Sequence, residues 1–394
     1  MSAGAERLAR LQGALGSAGL DALLVSALPN IRYLSGFSGS NALLLVPATG
    51  EATLWTDFRY ATQVKTEIGP GVRALVEPHS LWGAVLTALR EGPGGPRLIG
   101  FETDHLSHRE AHRFLDEARE DGMLHWRATT HLVEALRESK DDGELSRIRT
   151  AVAIAETALE RTLPTIRAGQ TELEIAGRLE FELRRAGSEG FPFECIVAGG
   201  ERSALPHARP SARPVRTGEF LLIDFGAVHA GYCSDLTRTV MIGAATARHR
   251  EIHDLVREAL GSASAGVRAG MRGRDADAIA RDYIARRGFG EAFGHSLGHG
   301  IGLEVHEAPR LSSTADAPLP PGAVVTIEPG IYLEGWGGVR IEDDVVLHSD
   351  GRGPLAVPTR TGIPLRLRPG RQGAPDPRPD DRPPLRQEAP RDVG

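Results

Sequence analysis

Cysteine is nearly missing from this chain: Cys195 and Cys233 are the two it has among 394 residues. They allow a single bridge at most, which excludes a disulfide framework. Reduced cytosolic thiols fit better. Long apolar runs are missing too, since no stretch approaches the roughly 18–20 residues that a membrane-spanning helix needs. The N-terminal segment carries Arg7 and Arg10 but no long apolar core before Asp21, so it does not read as a signal peptide. Positive charge is in deficit, with a net charge of −6. Nucleic-acid binding usually asks for a basic face, and none is visible. The expectation is a cytoplasmic protein with neither a nucleic-acid nor a membrane partner.

What is present is an ordinary globular composition, 41 % apolar and 25 % charged, in a chain long enough for two cores. Leu8, Leu11 and Leu15 fall at helical spacing, predicting a helix over 5–18 that Gly19 stops. ALLVSA, NALLLVP and EATLWTD read as strands, with Pro47–Gly50 turning between the last two. Strands then alternate with the helical stretches HSLWGAVLTALREG and SHREAHRFLDEARE to about residue 128. That alternation predicts an α/β domain over 1–130 with at least partly parallel pairing.

A charged linker over 131–146 leads into a strongly helical stretch that Pro164 and Gly169 end. A second helix opens at Thr171, with Glu174 completing a capping-box pattern. From Phe193 the texture turns to strands with glycine-rich connections, interrupted by HREIHDLVREALGSASAGV and GRDADAIARDYIARRG as helices. The region 147–368 is therefore expected to be α+β, with antiparallel strands. Residues 369–394 hold seven prolines and almost no large apolar side chains, so they are expected to stay disordered.

Four carboxylates and a histidine carry the chemistry. They are Asp224 and Asp235 in LLIDFGAVHAGYCSDLTRT, His299 in GHSLGHGIGLEVHE, Glu328 in VVTIEPGIY and Glu342 in GGVRIEDDVVL. Carboxylates gathered in one cleft repel and hold protons unless cations lie between them. Oxygen-rich ligands with one imidazole point to two divalent ions in a hydrolytic centre. Each aspartate alone reads more readily as a strand end or turn cap, and the second acidic pair downstream reverses that reading. In this reading Asp224 and Asp235 sit on neighbouring strands joined by a turn, and Glu342 ends the strand VRI. His295, His299 and His306 form H-x₃-H-x₆-H, but the interleaved glycines argue for a loop entering a strand rather than a helix.

These stretches, together with ALPHARPS, closely resemble the M24 peptidases, the pita-bread metallopeptidases, in order and spacing. Within them the resemblance is to the Xaa-Pro aminopeptidase and prolidase branch. NIRYLSGFSGSNALLLV and WTDFRY resemble that branch's creatinase-like N-terminal domain. The resemblance implies a creatinase-like α/β domain followed by an α+β pita-bread catalytic domain. It implies that Asp224, Asp235, His299, Glu328 and Glu342 hold two metal ions, foremost manganese, with cobalt or zinc as alternatives. His207 would steady the oxyanion, His306 would contact the leaving side, and Glu328 would move the proton. Around the substrate, His295 matches a pocket histidine and Arg340 an arginine orienting carboxylates. Arg310 either binds a dipeptide's terminal carboxylate or is a surface residue. The implied substrates are peptides with proline second. A strict dipeptidase is the alternative, and a silent peptide-binding module a remoter one. A homodimer is implied as well, with Trp55, Tyr60 and Trp336 read either as contributors at its interface or as core aromatics.

Overall fold

Leu8, Leu11 and Leu15 are all buried on one face of α1 (Ala3–Ser17), as their spacing requires. The computed structural model describes residues 3–91, 98–119, 124–348, 355–356 and 366–367, so the tail expected over 369–394 lies outside the described residues. After α1 come β1 (Ala22–Val25), α2 (Leu28–Ser35), β2 (Ala42–Pro47), β3 (Ala52–Thr56), α3 (Val64–Glu67) and β4 (Val72–Val76). Then follow α4 (Leu81–Glu91), β5 (Leu98–Glu102), α5 (His108–Arg119) and β6 (His125–Thr129). The sequence reading omits α2. It is framed by Pro29 in its first turn and by Gly36, whose φ of 85° supplies the left-handed cap.

The sheet of this half runs β4-β3-β2-β1-β5-β6. β2 is antiparallel to both neighbours, and the remaining pairs are parallel. Partly parallel pairing is thus what forms. Trp55 is buried in this core, and Tyr60 meets Phe37 edge-on with ring centroids 5.6 Å apart.

Short α6 (Glu134–Arg137) and long α7 (Asp142–Thr162) occupy much of the stretch expected to be a linker. Asp141 and Glu144 form the capping box that starts α7 inside it. α8 (Glu172–Ala186) opens on the Thr171 box as expected. β7 (Ile196–Gly199), β8 (Phe220–Phe225), β9 (Val228–His229), β10 (Tyr232–Cys233) and β11 (Leu236–Ile242) follow. α9 (Ala247–Gly266) and α10 (Gly273–Arg286) come next. Then β12 (Gly298–Gly300), β13 (Glu307–Leu311), β14 (Val324–Ile327), β15 (Gly330–Leu333), β16 (Gly337–Arg340) and β17 (Asp343–Val346) complete the half. Leu355–Ala356 and Arg366–Leu367 add edge strands to the two sheets.

β11, β8 and β7 form one antiparallel sheet, whose core side packs on α7 and α8 through Ile148, Val152, Leu179, Val197 and Ile223. β13, β12, β14 and β17 form a second, packed on α9 and α10 through Val256, Ala280, Val325 and Val345. Two helix pairs each back one sheet, and the sheets meet where Glu342 bridges to Thr237. Fully burying each such Leu, Val or Ile contributes about 1.5–3 kcal/mol, enough to hold strand ends that carry mutually repelling charges.

Two local expectations need correction. Asp224 lies within β8 and Asp235 just before its neighbour β11, but the β9–β10 hairpin, not a bare turn, joins the two strands. The strand expected to end at Glu342 stops at Arg340, because the Glu342 backbone is captured by Thr237 across the sheet junction, with N–H to O at 3.1 Å. Trp336 is half-buried and stacks on His249 with centroids 5.1 Å apart.

Glycine is required where the two inner strands touch. A Cβ on Gly298 would lie 1.9 Å from the Thr326 carbonyl oxygen. Gly298→Ala is expected to destabilise the metal-free protein by about 1–3 kcal/mol in urea unfolding. An unchanged midpoint would mean that β12 and β14 are free to separate.

Candidate metal centre

Strand geometry gathers the five predicted ligands. Asp224, in β8, sits in register with Thr237 of β11 and Ile196 of β7. Asp235 immediately precedes β11, and its N–H donates to Asp344 Oδ2 at 3.1 Å. His299 is the middle residue of β12; its backbone N–H donates to Thr326 Oγ1 at 3.1 Å. Its Nδ1 lies 3.0 Å from the Gly300 carbonyl, which can only accept, so Nδ1 carries the proton and Nε2 keeps a lone pair. That Nε2 is 3.7 Å from Asp235 Oδ2 and 3.6 Å from Glu328 Oε1. One donor atom each from Asp235, His299 and Glu342 falls within a 4.8 Å spread. Glu342 Oε2 accepts from Thr237 Oγ1 at 2.6 Å.

The electrostatics fit a cation. Burial, with Glu342, Asp224, Asp344 and Glu328 around it, holds the Asp235 carboxyl well above the usual carboxylate range. Burial and Glu342 raise Glu328 likewise. Glu342 is pushed up to about 8 by burial and by Asp224, against the opposing pull of Arg340. Burial lowers His299 to about 4, so the imidazole is neutral at pH 7, the form that ligates a metal. Asp224 Oδ1 is buried and has no hydrogen-bond partner among the described residues. Acceptors crowded this way, one of them orphaned, match the demand of divalent ions for oxygen and imidazole donors.

Arg340 is a cation the chain itself supplies to a ligand carboxylate. Its NH2 donates to Asp224 Oδ2, its Nε to Thr237 Oγ1 at 3.0 Å and its NH1 to Tyr332 Oη at 2.8 Å. Its donors therefore hold a carboxylate and two hydroxyls. Tyr332 Oη in turn meets His295 Nε2 at 2.8 Å, while His295 Nδ1 donates to the Ser296 carbonyl at 2.8 Å. Burial, reinforced by Arg340, lowers His295 to about 4.

His207, His295, His306 and Arg310 line the same cavity of about 620 Å³ as the five carboxylate and imidazole ligands. The His306 ring packs edge-on against His299, with centroids 4.4 Å apart. Arg310 is exposed and pairs in register with His299. Thr237, Thr326, Tyr332 and Asp344 escape the sequence reading. For the threonines a signal exists: each stands two residues from a ligand, Asp235 or Glu328, and so shares its strand face.

Residues 146–349 match metallopeptidase family M24, and residues 7–139 match the creatinase/prolidase N-terminal domain. The chain belongs to family M24. It is thus a hydrolase with the fold its motifs implied. An uncharacterised peptidase of Bacillus subtilis is 38 % identical to this M24 protein over 345 residues, 88 % of this chain and 96 % of the relative. The solved Xaa-Pro dipeptidase from Bacillus anthracis is 39 % identical with a TM-score of 0.85, covering 93 % of this chain and 99 % of its own. The X-Pro aminopeptidase from Thermotoga maritima is 38 % identical with a TM-score of 0.81, covering 92 % and 99 %.

The raised carboxyls tie stability to pH. Because Glu342 titrates near 8 in the folded chain and near 4.5 unfolded, the metal-free fold binds its proton more tightly than the unfolded chain does. That stabilisation is complete below the unfolded value and is lost as pH rises through about 8. Chelator-treated protein should therefore show a falling Tm across that window, and a saturating divalent ion should abolish the fall. A Tm that rises with pH would contradict the crowding.

Proposed function

We infer that this metallopeptidase cleaves the bond between an N-terminal residue and a following proline, as an Xaa-Pro aminopeptidase using manganese. The observation that carries the reading is the convergence of Asp224, Asp235, His299, Glu328 and Glu342 on one cavity rimmed by three further histidines. Similar proteins named Xaa-Pro dipeptidase and X-Pro aminopeptidase support the proline preference. Physically, that preference needs a pocket fitted to a ring whose nitrogen carries no N–H.

Divalent ions bound by the five ligands would supply a water acidic enough to attack an amide near neutral pH. Glu328 accepts the proton released in that attack and passes it to the departing proline nitrogen. A carboxylate at the cavity wall suits a group that must both take and give a proton. Thr326 Oγ1 donates to Glu328 Oε1 at 3.3 Å and helps hold it in place. His207, exposed at the cavity wall, donates to the developing oxyanion, and His306 contacts the leaving side. The substrate's ammonium group is drawn to the acidic end of the cavity.

Arg310 favours a second reading. Exposed at the cavity wall and in register with His299, it suits the terminal carboxylate of a dipeptide, which would make the enzyme a prolidase. Comparing Ala-Pro with Ala-Pro-Ala separates the two. An aminopeptidase cleaves the tripeptide at least as well, a strict dipeptidase leaves it intact, and cleavage of neither removes the proline reading.

Two variants probe the site. Asp235→Asn should lose bound metal and turnover together, read by elemental analysis and peptide cleavage; full turnover after chelation would sink the metal mechanism. His207→Ala should cut turnover by about 10²-fold with metal content retained, as loss of one oxyanion donor does in comparable sites.

A further inference from the structure

Glu307 sits in the cavity wall, and no role above uses it. It follows His306 directly and opens β13, the strand whose register sets Arg310 opposite His299. Both of its oxygens are gripped from the connection between the two halves. Lys140 Nζ donates to Oε1 at 2.6 Å, and Arg137 NH2 donates to Oε2 at 2.5 Å. The side chains of Lys140, Arg137 and Glu307 are 1 %, 3 % and 7 % exposed.

The grip is rooted in the N-terminal sheet. Arg137 NH1 donates to Asn30 Oδ1 at 2.7 Å, and Asn30 Nδ2 donates to Glu102 Oε1 at 2.7 Å and Glu134 Oε1 at 2.6 Å. Glu102, the last residue of β5, accepts from the backbone N–H groups of Ser26 and Ala27 just past β1. Arg137 NH2 also reaches Glu304 Oε2 at 2.9 Å, so two buried cations face two carboxylates, one from the β12–β13 connection and one from the start of β13. Lys140 and Ser139 are further tied to the loop before β14, through Gly322 O and Pro321 O.

A buried ion pair is a weak source of net stability, because desolvation offsets most of its attraction. Its directional hydrogen bonds nonetheless fix geometry. A carboxylate held at each oxygen by a different cation can neither rotate nor slide. We propose that Arg137 and Lys140 are positioning residues, which clamp Glu307 and so let the N-terminal half set the β13 segment carrying His306 and Arg310.

The activity side of this inference rests on the Xaa-Pro hydrolase reading; the structural side does not. The test compares the full-length manganese enzyme with Lys140→Met, Lys140→Arg, Glu307→Gln and the Lys140→Met/Glu307→Gln double variant. Three quantities are read: Ala-Pro and Ala-Pro-Ala cleavage, metal stoichiometry, and backbone hydrogen exchange. Lys140→Met and Glu307→Gln should each lower kcat about tenfold or more, as loss of an outer partner does in comparable sites, with metal content retained. Exchange should rise over 300–311 while β8 and β11 stay protected. The double variant should be no worse than the poorer single within about twofold, since both substitutions cut one interaction. Lys140→Arg, which keeps the charge, should restore most of kcat. Additive losses, unchanged exchange over 300–311, or activity that falls only in step with metal would each overturn the clamp. A wild-type enzyme that cleaves neither peptide would refute the proline reading instead, and hydrogen exchange would still decide the clamp.

Discussion

Repulsion among buried carboxylates is the constraint to which the catalytic half is built. Asp224, Asp235 and Glu342 are buried and Glu328 half-buried, arriving from both sheets, and Asp344 adds a further buried acid behind Asp235. Water would normally screen such a group, yet here strands and helix pairs bury most of each side chain. The fold answers in three ways. Arg340 and Thr237 hold one oxygen each of Asp224 and Glu342, protons remain on carboxyls pushed out of their usual range, and donor atoms are left open for ions. The apolar packing behind each sheet offsets the cost of the charges at their junction.

Much of this was legible in the chain because ligands and strands share a local signature. Asp224 and Glu328 end or follow short apolar runs, and glycines flank them where backbones approach closely. The helices of both halves likewise announce themselves by apolar spacing and by the Thr171 capping box. Less legible was whatever depends on a partner distant in sequence. Nothing in GGVRIED says that Thr237 will capture the Glu342 backbone and end the strand early. Nor does any local pattern assign Arg340 to Asp224 or Tyr332 to His295, contacts spanning 116 and 37 residues. Such pairings are set by how two sheets meet, not by period or propensity.

The connection between the halves shows the same limit. VEALRESKDDGELSRIR reads as charged and therefore exposed, since charge in a linker is ordinarily solvated. Arg137 and Lys140 are instead among the most buried cations in the chain, because carboxylates from the β12–β13 region meet them there. Composition reports how many charges a segment has. It does not report which of them fold inward.

Charge balance sets the cost of bringing these acids together. If every ligand carboxyl were ionised, the centre would hold four negative charges against one from Arg340, with neutral imidazoles around them. Retained protons remove part of that imbalance, and the built-in guanidinium removes another part permanently. A second buried arginine, Arg238, stands at the same junction, but its NH1 donates to the Glu342 carbonyl at 2.6 Å and its NH2 to Asp343 Oδ1 at 2.8 Å, so it takes no ligand oxygen. Arg340, committed to Asp224 Oδ2 and leaving Oδ1 unpartnered among the described residues, is therefore a compromise. It lowers the cost of assembling the acids while preserving enough unmet negative potential to draw divalent ions into the pocket.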